Sequence, residues 1–272
     1  MNETSLDENI LFYYNRGREQ DRLERDLSRV EYLRTLDVLA RYLPAPPATV
    51  VDIGGGPGRY AVWLAAQGYT VCLLDPVPLH VEQARATLQD FEHAEAEVGD
   101  TRALPYPDKS ADAVLLLGPL YHLTERADRS KALEEAKRVL KPGGTLFAAA
   151  ISRFASFLDG LSFGFLNDPA FAKIVDDDLQ TGVHQNLERR DNYFTTAYFH
   201  RPEELSRETE KAALKLEVLI GLEGPSRYLN DLDATLAEAE KTTTLLNLLR
   251  TTEKEPSLLG MSPHILAVAT SR

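Results

Sequence analysis

The feature that most constrains this chain is the joint inside VVDIGGGPGRYAVWLAAQGYTVCLLDP, residues 50–76. There an apolar run passes into an amphipathic one through Gly54-Gly55-Gly56-Pro57-Gly58. An apolar β-rich run that ends in glycines and continues with helical periodicity reads as a strand-to-helix turn. Such a turn presents backbone N–H groups and the positive end of the helix dipole, and without Cβ atoms it lets a flat or bulky ligand approach the backbone. Asp75 ends the next apolar run, about 20 residues on, where a carboxylate is placed to accept hydrogen bonds from a ribose diol. Taken alone, Asp75 reads equally well as a strand-end cap.

Around this joint the chain alternates. Short apolar runs occur at TVVDIG, TVCLLD, AEVGD, DAVLLLG and GTLFAAAI, with helix-like segments over 59–67, 79–91 and 126–140 after the first, second and fourth. The third run passes to the fourth through TRALPYPDKSA. KPGG at 141–144 predicts a helix closed by a glycine just past its end. Strands alternating with helices predict a parallel sheet with helices on both faces. Towards the C-terminus RPEELSRETEKAALK reads as a returning helix, and LEVLIGLEG and HILAVATS as two final strands separated by a helical segment over about 229–252. Upstream, Leu23, Leu27, Val30, Leu33, Leu36, Leu39 and Leu43 recur at three- and four-residue steps, predicting a helix that LPAPPAT ends.

Composition excludes some function classes. With 30 Lys+Arg against 42 Asp+Glu the formal charge is −12, which repels a phosphate backbone and makes nucleic acid a poor partner. The one cysteine, Cys72, allows no internal disulfide and no cysteine-cluster metal site, in keeping with a reducing cytoplasm. No run approaches the roughly 20 apolar residues of a membrane span, and the N-terminal residues lack the basic start and apolar core of a signal peptide. The expectation is a cytoplasmic protein with no membrane partner.

Two cofactor classes use a glycine turn of this kind. The window Gly56-Pro57-Gly58-Arg59-Tyr60-Ala61 satisfies the dinucleotide fingerprint, which points to an NAD-dependent oxidoreductase. The chain also resembles the class I S-adenosylmethionine-dependent methyltransferases, over about 49–151 and again in its last strand. Their first motif, an acid followed by glycines at alternate positions, is matched by Asp52, Gly54, Gly56 and Gly58, with Pro57 as in the variant common among enzymes of small molecules. In VGDTRALPYPDKSADAVLLLGPLYHL, Asp100 matches the acid that meets the adenine amino group, the backbone at Thr101 and Arg102 would hold the ring, and Leu117 closes the fourth strand beside the cofactor. EEAKRVLKPGGTLFAA completes the pattern, and the conjunction favours a methyltransferase over a dehydrogenase.

The resemblance implies an α/β Rossmann-like, doubly wound seven-stranded sheet whose last strand is antiparallel and inserted. To this are added a helical N-terminal arm and lid insertions. The implied organisation is an arm over 1–48, a cofactor-binding core over 49–151, a lid over 152–200 and a C-terminal part of the core over 201–272 with a helical insertion at about 225–262. The implied cofactor is S-adenosyl-L-methionine, the partner a small-molecule substrate, methylated on oxygen or nitrogen, and a homodimer is compatible with the chain. A binding subunit without turnover is the non-enzymatic alternative. Both insertions leave the carboxyl ends of strands, where open α/β sheets place ligands, so they are expected to meet above the cofactor, together with Phe12, Tyr13 and Tyr14 of the arm.

The catalytic candidates are Tyr121 and His122, just past the fourth strand. His122 could take a proton from a hydroxyl or amine as it is alkylated; the bland alternative is a packed tyrosine and a histidine bonded to a loop carbonyl. His184 and His200, with Tyr193, Phe194 and Tyr198, form either a substrate cage or the lid's own core. His80 and His93 read as solvated, His264 as a turn filler, and Arg18 and Arg22 as surface residues, with a bond to the cofactor carboxylate as the alternative. No metal-ligand spacing is present, so no metal is expected.

Overall fold

The computed structural model describes residues 7–272 except 18, 25 and 192; Arg18 lies outside the described residues. Nine strands occur among them, seven in one sheet: β1 (Thr49–Ile53), β2 (Thr70–Asp75), β3 (Ala94–Val98), β4 (Ala111–Leu116), β5 (Leu140–Ile151), then β6 (Val183–His184) and β7 (Ala197–Tyr198) as a separate ribbon, and β8 (Leu214–Gly221) and β9 (His264–Ser271). The sheet order is β3-β2-β1-β4-β5-β9-β8. The first five are parallel, while β9 runs antiparallel to both neighbours, Ala148 facing Ala267 and Ala267 facing Leu219.

Helices cover both faces, and this is why the strand sequences are nearly continuous apolar runs. α2 (Asp26–Tyr42), α3 (Arg59–Ala66) and α4 (Pro78–Leu88) cover one face through Val38, Leu39, Leu64 and Val81 against Val50, Leu73 and Phe147. On the other, α6 (Arg126–Val139) and α9 (Pro202–Lys211) bring Leu133, Val139 and Leu205 onto Val51, Ile53, Val114 and Leu146. Neighbouring residues of β1, Val50 and Val51, thus serve opposite cores, as the two-residue period of a strand requires.

Several elements depart from the sequence reading. KPGG does not end α6 as a glycine stop: the helix caps on Leu140, which already belongs to β5, and residues 141–144 form a bulge between the pairs Ala111–Leu140 and Ala113–Thr145. A short helix α1 (Glu8–Tyr14) precedes α2, capped by Asp7, whose carboxylate accepts from Asn9 and Ile10. Another, α5 (Pro119–His122), follows β4. The 152–200 segment is largely helical, with α7 (Ala155–Phe163) and α8 (Pro169–Thr181) ahead of the ribbon. Its root is pinned where Ile151 accepts from His200 N–H at 2.8 Å and Arg153 Nε donates to Phe199 O at 2.7 Å.

The second insertion holds α10 (Leu232–Ala237), α11 (Ala239–Thr252) and α12 (Pro256–Leu259). Its body does not roof the cleft at the sheet's carboxyl edge. Leu236 and Leu249 pack instead on Val30 of α2, and Glu253 receives Arg34 and both terminal nitrogens of Arg41, at 2.8 and 2.9 Å. The two insertions touch through Arg227 and Asp159, 2.8 Å apart. Among the described residues no helix is long and apolar enough to cross a membrane.

Candidate functional site

The turns after β1, β2, β3 and β4 open side by side into one cleft, covered from above by α1 and the segment following it. Asp52, Gly54, Gly56, Asp75, Asp100, Thr101, Leu117, Tyr121 and His122 all line it. Gly58 does not: it packs on α4, where a Cβ would lie 3.3 Å from that of Ala84. A Cβ on Gly54 would stand 2.6 Å from the Pro119 ring, so glycine there lets the β1 and β4 turns close on each other. Gly56 is left-handed, φ +57°, and the space beside it is open apart from Glu19 Cγ at 3.9 Å.

Two buried acids divide the work of this turn. Asp75 holds it in shape, accepting from Gly56 N at 2.9 Å and Val77 N at 2.8 Å, with His80 Nδ1 3.2 Å away. His80 is therefore buried on the inner side of α4 rather than solvated, while His93 is exposed. Asp52 is 1% exposed and neither carboxylate oxygen has a hydrogen-bond partner. Burial, with the neighbouring Asp75 adding to it, pushes its pKa up to about 7. An uncompensated acid at the base of a cleft is a standing demand for a ligand donor or cation.

At the far wall Asp100 accepts from Arg102 backbone N at 2.8 Å and from the guanidinium at 2.6 and 2.9 Å, and Arg102 also reaches Asp128 at 2.9 Å. Burial would raise the Asp100 pKa, but the bonds from Arg102 hold it below the usual range. The Arg102 N–H expected to face a ring is thus turned to its neighbour's carboxylate. Thr101 Oγ1 is buried without a partner.

Tyr121 and His122 ride on α5, which Gly118-Pro119 starts at the end of β4. Both ring nitrogens of His122 are engaged. Its Nδ1 faces the Thr196 carbonyl at 3.4 Å, which fixes the proton there, and Nε2 accepts from the Tyr14 hydroxyl at 2.6 Å. Burial lowers the His122 pKa to about 4 against the opposing pull of the Thr196 carbonyl, so the ring is neutral at neutral pH. Tyr14 is held well above its ordinary pKa by burial.

A second cavity lies beyond, between α1, α5 and the first insertion, and Tyr14, Glu19, Arg22 and Tyr121 line both spaces. These four mark the junction. Arg22 is half-buried there, donating to Glu19 at 2.7 Å and to Glu31 at 2.6 and 3.2 Å. The second cavity is walled by Tyr13, Phe165, Phe171, Tyr193, Phe194 and Phe199. Of the two insertion histidines it brings in His184 only; His200 is fully buried beside Glu208, Nε2 to Oε2 3.2 Å, in the structural pair of that carboxylate with Arg129.

Glu31, Glu223 and His264 come within 4.8 Å of one another, a grouping that no spacing in the chain reveals. Their charges are met by Arg22 and by His264 itself, which lies 2.5 Å from Glu223 and is raised to about 9 by the two carboxylates although burial opposes its charge. It is an ion-pair network joining α2 to the start of β9. Tyr14 was legible only as one of three arm aromatics; the short stretch DENILFYY, with an acid cap ahead of apolar residues, carried the signal for the helix that places it.

Comparison with known proteins agrees with this geometry. Residues 51–148 match a family described as "Methyltransferase domain". Over 114 residues the chain is 39% identical to a ubiquinone/menaquinone biosynthesis C-methyltransferase, UbiE, of Acidiphilium cryptum, covering 40% of this chain and 45% of that protein. Over 148 residues it is 32% identical to the methyltransferase GfsG of Streptomyces halstedii, covering 53% and 49%. The chain thus spans less than half the length of either relative. A Haloferax volcanii methyltransferase, solved with the activator Trm112, shares the fold over 98% of this chain and 99% of its own at a TM-score of 0.61 and 20% identity.

Proposed function

This chain carries a class I S-adenosylmethionine-dependent methyltransferase domain, and from that premise we propose that it methylates an oxygen or nitrogen of a small molecule held in the second cavity. The observation that carries the proposal is the junction: Tyr14, Glu19, Arg22 and Tyr121 belong to the cofactor cleft and to an aromatic cavity at once. A cofactor in the first and an acceptor in the second would meet there.

The residues present fit S-adenosylmethionine. Asp52, buried and unpartnered, would accept from its ammonium group; Gly54 and Gly56 leave the backbone bare for it; the remaining lone pair of Asp75 Oδ2 and the orphan Thr101 hydroxyl would serve its nucleoside. When bound, the sulfonium supplies an activated methyl group. The protein's own part is to orient and to exclude water, with α1 and the first insertion as the covering elements.

Proton removal falls to Tyr14 and His122. As a bond forms at an acceptor hydroxyl its proton becomes strongly acidic, so Tyr14 takes it while passing its own to His122 Nε2. A base as weak as His122 suffices for a proton released that late. The test is calorimetric titration with S-adenosylmethionine and with NAD, followed by an S-adenosylhomocysteine release assay over hydroxylated and amine compounds, with the methylated atom identified by NMR. Heat with S-adenosylmethionine alone and a product methylated on oxygen or nitrogen is the expected result. A methylated carbon, as the name of the Acidiphilium relative indicates for that protein, would overturn the choice of acceptor atom. Cofactor binding without turnover on any compound would favour a binding subunit.

A further inference from the structure

The second cavity carries a polar device that methyl transfer itself does not use. His184 is 1% exposed, and its Nδ1 stands 2.9 Å from Oδ2 of Asp178, which is itself fully buried. A carboxylate only accepts, so in the neutral imidazole the proton sits on Nδ1 and Nε2 is the acceptor. Nε2 has no partner among the described residues. Ser156 Oγ lies 3.4 Å from Nδ1, on the Asp178 side. His184 lines the cavity and Asp178 does not, which sets Nε2, enclosed and unpartnered, on the edge of the ring away from Asp178.

The surroundings narrow what that occupant is. Other charged groups of the cavity are matched within the protein: Glu19 by Arg22, Asp159 by Arg227, His264 by Glu223. The rest of the wall is chiefly aromatic. Phe199 stacks on His184 at 4.8 Å and 15°, and Phe194 touches His184 and His122 with ring centroids 6.3 and 5.8 Å away. His122 lines the cofactor cleft and not this cavity; His184 lines this cavity and not the cleft. The two histidines therefore stand at different ends of the joined spaces.

Resting on the methyltransferase reading above, we propose that the acceptor is a hydroxylated aromatic compound whose O–H donates to His184 Nε2, while a second heteroatom across its ring system reaches the junction at Tyr14 and Tyr121. A flat ring suits walls of aromatic faces and edges. The hydroxyl satisfies the buried acceptor, and an analogue without the proton leaves that acceptor unpaired, which is the stronger source of discrimination. His184 is then a specificity residue and Asp178 its positioning residue.

The test uses two unreactive probes on the full chain loaded with S-adenosylhomocysteine: 4-propylphenol and its methyl ether, 4-propylanisole, followed by ligand-observed NMR titration. The phenol is expected to bind about five- to tenfold more tightly than the ether, as one hydrogen bond to a buried acceptor allows. In His184→Phe the ratio should fall to about one, and in His184→Gln, which keeps an acceptor near the same point, part of the preference should return. In the unmutated protein the Nε2 ¹⁵N resonance of His184 should move on addition of the phenol and stay in place with the ether, which keeps the test alive if a variant fails to fold. Equal affinities, no phenol binding, an unmoved resonance or a preference that survives His184→Phe would each overturn the proposal. Failure of S-adenosylhomocysteine to bind would instead count against the methyltransferase reading, and the probe comparison is then made without it.

Discussion

The Tyr14 hydroxyl and His122 Nε2 stand 2.6 Å apart although 108 residues separate them in the chain, one on the arm helix α1 and the other on α5 at the end of β4. The contact stands at the junction of the cleft with the second cavity. It leaves His122 Nε2 engaged by Tyr14, the pair on which the proposed proton relay is built.

Replacing either partner should therefore slow turnover in the same way. Tyr14→Phe and His122→Ala are each expected to lower kcat by about 10²-fold on a hydroxyl acceptor, and the double variant by little more, because the two act as one relay. S-adenosylhomocysteine affinity should change far less than kcat. Additive losses in single-turnover assays would show that the two residues do not share one proton path.

Asp52 gives cofactor binding a pH dependence with a defined sign. With its pKa raised to about 7 by burial and by Asp75, roughly half the molecules carry a neutral Asp52 at pH 7. A cationic ligand favours the carboxylate, so below the pKa of the ligand's own α-amino group, about 7.7–8.0, affinity should climb as pH rises towards 7, and binding at about pH 6 should release most of a proton. Calorimetry in buffers of different ionisation enthalpy measures this directly. Asp52→Asn should abolish the proton release.

His264 predicts the opposite slope for stability. Held at about 9 in the folded chain by Glu31 and Glu223, against about 6.5 when unfolded, it binds its proton more tightly in the native state. Its contribution is complete below about pH 6.5 and drains away as pH rises through 9, by on the order of 3 kcal/mol. Urea unfolding at pH 6.5, 8 and 9.5 should show the fall, and His264→Gln should flatten it. An equal slope in both proteins would place the effect elsewhere.

Arg34 and Glu253 form a buried ion pair, 1% and 2% exposed, between α2 and the second insertion. Glu253→Ala leaves the Arg34 guanidinium buried with Asp37 as its remaining acid and should cost about 3–5 kcal/mol. Arg34→Met combined with Glu253→Leu should recover most of that loss. A single variant as stable as the parent in thermal melts would mean that water reaches Arg34.

The sheet could be read from the chain because its strands are buried on both faces and appear as unbroken apolar runs; HILAVATS is β9 to the residue. The first insertion was opaque for a different reason. Its helix α7 leaves Phe157, Leu161 and Phe163 exposed at 38, 52 and 66%, so its apolar residues mark no single face. On α2 the periodic leucines gave the helix, yet Glu31 and Arg34 lie on its buried side, paired with residues about two hundred positions away that no local pattern announces. The glycine turn and the acids at the ends of β1 and β2 and just past β3 were legible as one cleft because each needs only its own strand end. The Tyr14–His122 and Asp178–His184 pairs depend on how the arm and the insertion fold back.

The place of β9 in the sheet bears on how the molecule is made. The strand lies between β5 and β8, and its first residue, His264, is tied to Glu223 and Glu31 and, with Pro263, walls the second cavity. Residues 264–271 follow every other described strand in the chain, so until they are made β5 and β8 have no common neighbour and α2 lacks its ion-paired tie to β9. The lining of the cofactor cleft is complete by residue 128, whereas that of the second cavity is completed only by Pro263 and His264. A chain clipped short of β9 would then carry every residue that lines the cleft and lack the last wall of the second cavity.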